Sequence, residues 1–141
     1  MQLTDSNLNY HRPVMLWLIL LTIMVLLIII IGGLTRLTDS GLSMVDWRPL
    51  LGTIPPLNKS QWIEVFNAYK QTPEFIYVNK NMSLEEFKYI FWWEWFHRFF
   101  ARLIGIVFLF PFIYFYFKKY LNIFFYKRFA IIFSLGLIQA I

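Results

Sequence analysis

Three stretches of the chain are almost unbroken apolar sequence, and the polar residues gather between them. The first, Pro13 to Leu34 (PVMLWLILLTIMVLLIIIIGGL), carries no charge and has the length of about 20 apolar residues that crosses a bilayer as a helix. It exceeds the roughly 7–15-residue core of a cleaved signal peptide, and the GGLTRLT that closes it is not a small-x-small cleavage site. A retained transmembrane helix over residues 13–34 is predicted, with Pro13 in the first turn, where no amide donor is missed. Gly32 and Gly33 are expected to end it and TDSG to turn the chain. The second run, Phe91 to Phe117, is punctuated by charge in its first third and then clean (LIGIVFLFPFIYFYF), with Pro111 expected to kink it. The third, FAIIFSLGLIQAI, starts at Phe129 and reaches the last residue. It is too short to span, so a helix cut off by the chain end is expected, in the N-terminal part of a longer protein.

The polar segment between the first two runs, about residues 35–90, has punctuation of its own. PLLGTIPPLN is a turn-rich break. NKSQWIEVFNAYKQ then predicts a helix over 58–71, with Asn58 and Gln61 in a capping-box pattern and Trp62, Val65, Phe66 and Tyr69 on one face. Pro73 is expected to stop it. That aromatic face suits packing against the protein's own helices better than lying on the membrane. A second capping box, Ser83 with Glu86, starts a pattern that runs without a breaker into the second apolar run. That helix is therefore expected to begin near residue 83, outside the bilayer, with Trp92, Trp93 and Trp95 as an interfacial aromatic belt.

Composition narrows the class. Of 141 residues, 59% are hydrophobic and 15% charged, too apolar for an ordinary soluble domain or a disordered one. The net charge of +5 does not point to nucleic acid, because the positive residues cluster at the ends of apolar runs. Lys118, Lys119, Lys127 and Arg128 crowd the connection 118–128 with no acid among them. The positive-inside rule puts that short loop, and the N-terminus with it, in the cytoplasm or matrix, and the 35–90 segment outside. With no cysteine there is neither a disulfide nor a thiolate-ligated metal, and His11 and His97 are the only imidazoles.

The chemistry concentrates in WWEWFHRFFARLIG, residues 92–105. At about 100° per residue, Glu94, His97, Ala101 and Gly105 share one helix face, flanked by Arg98 and Arg102. Each has a plain reading. Glu94 and Arg98 are spaced for an ion pair, the arginines could snorkel to headgroups, and Ala101 with Gly105 could be a helix-packing contact. Ionisable groups inside a membrane nonetheless default to function. A flat, dianionic, metal-bearing macrocycle would use such a face. Imidazole is a common axial ligand of haem iron, small residues let the ring plane approach, arginines suit propionates, and a carboxylate beside the ligand can orient it or move protons. GGLTRLTDSGLS, residues 32–43, adds a dense polar cluster in which Arg36 could reach an anionic ligand held on the second helix.

These stretches, with WRPLLGTIPP, QWIEVFNAYKQTPEF, NKNMSLEEFKYIFWWEWFHRFFARLIG and, more weakly, GLIQAI, resemble the heme A synthases (CtaA-type), in family order from residue 32 onward. The cysteine-free sequence is similar to the alphaproteobacterial and mitochondrial branch. The resemblance implies an all-α integral membrane bundle of eight helices in two similar halves, the N-terminal half holding substrate and the C-terminal half a haem b. It implies oxidation of a ring methyl of heme O to a formyl group, giving heme A for cytochrome c oxidase. By the same resemblance His97 is the iron's axial ligand and metal site, and Glu94 the acidic residue implicated in catalysis. Arg98, Arg102 and Arg36, with Ala101 and Gly105, are the expected cofactor-binding residues. The further histidines of the family pattern are not in this sequence, so the chain alone is expected to be inactive. Expected surroundings are a bacterial inner membrane (or the mitochondrial one), heme O synthase, oxidase assembly factors and a homo-oligomer as partners. A non-catalytic haem-binding assembly subunit and a transporter fragment are the rival readings.

Overall fold

In a computed structural model of the chain the apolar runs and the polar segment between them resolve into five helices. These are α1 (Asp5–Leu37), α2 (Lys59–Tyr69), α3 (Pro73–Tyr77), α4 (Leu84–Phe117) and α5 (Ile123–Gln139). The structure describes residues 5–45 and 54–139, with side chains for 12–45 and 54–138, and no strand occurs among them. Most of WRPLLGTIPP and the His11 side chain lie outside the described residues. Two helices, Arg12–Leu37 and Leu84–Phe117, are long and apolar enough to cross a membrane, and the protein is a helical membrane protein.

Four element boundaries differ from those expected, the first being the start of α1, which lies at Asp5 rather than residue 13, so that Pro13 falls inside the helix and not in its first turn. Helix α1 does not end at Gly32–Gly33 but continues to Leu37. A helix this long and apolar tolerates interior glycines at about 1 kcal/mol each. It stops in a Schellman arrangement, with Asp39 left-handed at φ 48°, its amide donating to the Arg36 carbonyl and the Ser40 amide to that of Thr35. Lys119, at φ 54°, closes α4 the same way, with the Tyr120 amide donating to the Phe115 carbonyl. Pro73 does not merely stop α2, which ends at Tyr69; it opens α3, at whose N-terminus the Thr72 hydroxyl accepts from the Phe75 amide. Helix α5 begins at Ile123 rather than Phe129, taking up half of the expected basic loop. Helix α4 runs unbroken through Pro111.

The chain forms two compact units, Leu27–Ala101 and Met1–Leu26 with Arg102–Ile141. In the first, the aromatic face of α2 buries Phe66 and Tyr69 against Phe87, Ile90 and Phe91 of α4. The α2 face is therefore packed on protein, as expected. Both capping residues act, with modifications. The Gln61 amide donates to Asn58 Oδ1 at 2.9 Å, while the Gln61 side chain takes the Leu57 amide. The Ser83 amide donates to Glu86 Oε2 at 2.7 Å.

In the second unit Val14, Trp17 and Leu21 of α1 pack against Phe115, with Phe108, Phe112 and Phe129 around them. The Trp17 indole N–H donates to the Val107 carbonyl at 2.9 Å. Residue 111, four positions on, is proline and has no N–H to offer that carbonyl. One helix thus supplies the donor that the other lacks, which matters where no water is present. The Tyr126 hydroxyl of α5 donates to the Phe115 carbonyl at 2.6 Å, sealing the capped end of α4.

Candidate functional site

The N-terminal half of α4 and the end of α1 hold most of the expected site residues. Glu94 is 3% exposed. Burying a carboxylate is tolerable only when its oxygens are paired, and all four bonds are present. Oε2 accepts from the Ser43 hydroxyl at 2.7 Å and the Met44 amide at 2.8 Å. Oε1 accepts from Arg98 Nε at 3.0 Å and Nη2 at 2.5 Å. The i,i+4 ion pair is therefore real. It commits one edge of the Arg98 guanidinium to Glu94 and ties the segment after α1 to α4.

One turn on, half-buried His97 lies against α1. A methyl built on Gly32 would stand 3.1 Å from His97 Nε2 and 3.6 Å from its Cδ2. The imidazole edge occupies the space that a side chain at residue 32 would need. The hydroxyls of the neighbouring cluster serve the helix end. Thr35 donates to the Gly32 carbonyl at 2.8 Å, Thr38 to that of Leu34 at 2.9 Å, and Ser40 to that of Thr35 at 3.0 Å. These hydroxyls thus bond to carbonyls in the last turns of α1, and those of Leu34 and Thr35 also accept the Thr38 and Ser40 amides.

The remaining expected residues are less closely gathered. Arg36, in the last turn of α1, is exposed, and so is Ala101. Arg102 and Gly105 belong to the other unit, where both are half-buried and the space beside Gly105 is open for 4 Å. Sequence reasoning missed two participants. Gly32 was assigned to the helix end, and Ser43 was noted only as part of a motif. A serine and a glycine flanking the arginine of a polar motif carried no signal of which buried group each meets.

Among the described residues no cluster of three or more His, Cys, Asp or Glu could hold a bare metal ion. A single imidazole suits a metal that arrives with its other ligands in place, as in a porphyrin.

The family model for cytochrome oxidase assembly proteins (COX15-CtaA) matches residues 15–141. The chain belongs to this family. It is 52% identical over 118 residues to a protein of Nitrosospira multiformis named heme A synthase, covering 84% of this chain and 33% of that protein. It is 43% identical over 139 residues to the heme A synthase of Nitrosomonas eutropha and 44% over 138 residues to that of Parvibaculum lavamentivorans, covering 39% of each. The chain thus spans between a third and two fifths of the length of these relatives, matching their N-terminal part. No solved structure matches.

Proposed function

We propose that the chain is the N-terminal, substrate-holding part of a heme A synthase, acting on heme O. The observation that carries this reading is His97, a half-buried imidazole seated on a glycine of the neighbouring helix, one turn from a buried carboxylate–guanidinium pair. Imidazole supplies one axial ligand to the substrate iron. Glu94 is the residue assigned to proton handling one turn before it, and its bonds to Ser43, Met44 and Arg98 fix the orientation of its carboxylate. Arg98 presents its remaining guanidinium edge, and Arg36 its charge, to propionates. Ala101 and Gly105 leave the helix surface low enough for a flat ring. The net change proposed is the four-electron oxidation of a ring methyl to a formyl group, its electrons passing to an oxidant bound outside this chain. A haem b belongs, in this reading, to the C-terminal half of the family fold, and no residue of this chain is assigned to it.

The exposed basic residues Lys118, Lys119, Lys127 and Arg128 support a cytoplasmic N-terminus in a bacterial inner membrane, with the segment of about residues 35–90 assigned to the opposite side. The test is heme A formation by the full-length protein in cells lacking their own. His97→Ala and Glu94→Gln are expected to leave heme O accumulating. Undiminished heme A from His97→Ala would overturn the assignment.

A further inference from the structure

We infer that Gly32 is a positioning residue for the reaction: the missing Cβ at this point of α1 sets the direction in which the His97 imidazole faces. The inference rests on the reading of His97 as a ligand, but its geometry does not. Three observations combine. A Cβ at residue 32 would come within 3.1 Å of Nε2, the nitrogen farther from the main chain, and the same atom at the adjacent Gly33 would meet nothing within 4 Å. The two glycines are therefore not equivalent, although they stand side by side in the sequence. Second, the contact has little room to open. Glu94, three residues before His97, is bonded to Ser43 and the Met44 amide of the segment that leaves α1. Third, the α1 backbone at this level is itself held, since the buried Thr35 hydroxyl donates to the Gly32 carbonyl at 2.8 Å.

With the segment after α1 tied to α4 through Glu94 on one side of the contact, a methyl at residue 32 is relieved most directly by turning the imidazole. A turned ring points its nitrogen off the direction in which an axial ligand must bond. Gly33, free on its outward side, serves as the matched control for any general effect of replacing a glycine in α1.

The experiment has two arms. In the full-length protein titrated with heme O, Gly32→Ala is expected to lose part of the low-spin absorption and paramagnetic signal. Binding should weaken by about tenfold, as is usual when a group that orients a metal ligand is disturbed. Gly33→Ala should leave both unchanged. In the second arm, without haem, thermal unfolding in detergent is followed for Gly32→Ala in the native and His97→Ala backgrounds. The native background should show a lowered midpoint, and the His97→Ala background should not, because the clash is gone. Equal effects of Gly32→Ala in both backgrounds would overturn the inference, as would Gly32→Ala and Gly33→Ala altering the haem signal alike. If His97→Ala itself leaves the haem signal intact while the haem-free coupling persists, the ligand assignment fails and the Gly32–His97 contact stands.

Discussion

Replacing Trp17 by Phe tests whether α1 supplies a hydrogen bond that α4 cannot make for itself. The indole N–H lies 2.9 Å from the Val107 carbonyl, and Pro111 removes the donor that an unbroken helix would place there. Trp17 is 5% exposed and its ring sits 5.4–5.6 Å from those of Phe108, Phe115 and Phe129. Phenylalanine keeps much of that packing and loses the donor. An unsatisfied buried acceptor costs about 1–3 kcal/mol, while measured hydrogen bonds between membrane helices average nearer ~0.6 and reach ~1.7 kcal/mol. About 1 kcal/mol is therefore expected from the hydrogen bond, with a further loss from the smaller ring. A double-mutant cycle separates the two. In Pro111→Ala the new amide at 111 can donate to Val107, so the indole is no longer needed and Trp17→Phe should cost only its packing. The coupling, measured by reversible unfolding in mixed detergent micelles, should be about 1 kcal/mol. Additivity of the two substitutions to within about 0.3–0.5 kcal/mol would refute the reasoning.

Other predictions concern the Leu27–Ala101 unit. Glu94→Ala strands the partly buried Arg98 guanidinium and should cost about 3 kcal/mol, at the low end for a broken buried pair because Arg98 keeps some solvent; Ser43→Ala, losing one of four donors, should cost about 1 kcal/mol in the same unfolding assay. Asp39→Gly, at a left-handed C-cap position, should stabilise by about 0.5–1 kcal/mol because glycine adopts that backbone without the Cβ penalty. Burial pushes the Tyr69 hydroxyl above the usual phenol range, against the lowering effect of the Asn79 hydrogen bond, with nearby carboxylates adding to the rise. The fold holds that proton more tightly than the unfolded chain, so this stability is complete below the ordinary tyrosine pKa of about 10 and is lost as pH rises beyond it. Tyr69→Phe should flatten the alkaline limb of a stability–pH curve, and an unchanged limb would contradict the assignment.

The helical membrane class was legible from apolar run length alone, and so was the start of α4, because Ser83 and Glu86 form a local motif whose partners are three residues apart. The α2 packing face was legible for the same reason, since Trp62, Val65, Phe66 and Tyr69 repeat at helical spacing. The end of α1 was not. Gly32–Gly33 has the local form of a helix stop, and only the approach of His97, 65 positions away, sets Gly32 apart from Gly33. The start of α5 at Ile123 is not legible because Lys127 and Arg128 interrupt the apolar run, although both are good helix formers and stand beyond the first turn. At the site, the Glu94–Arg98 pair could be read from its spacing, whereas Ser43 and the Met44 amide reach Glu94 through a turn that no periodicity describes. The chemistry of His97 rested on the motif as a whole, and family membership over residues 15–141 supports that part of the reading without naming the ligand.

The absorption spectrum of purified full-length His97→Ala protein loaded with heme O is a direct test of the proposed iron–imidazole bond. If His97 is the axial ligand proposed above, the low-spin bands of the native complex give way to a high-spin spectrum. A spectrum unchanged from the native protein would take His97 off the iron and leave the pocket without its ligand.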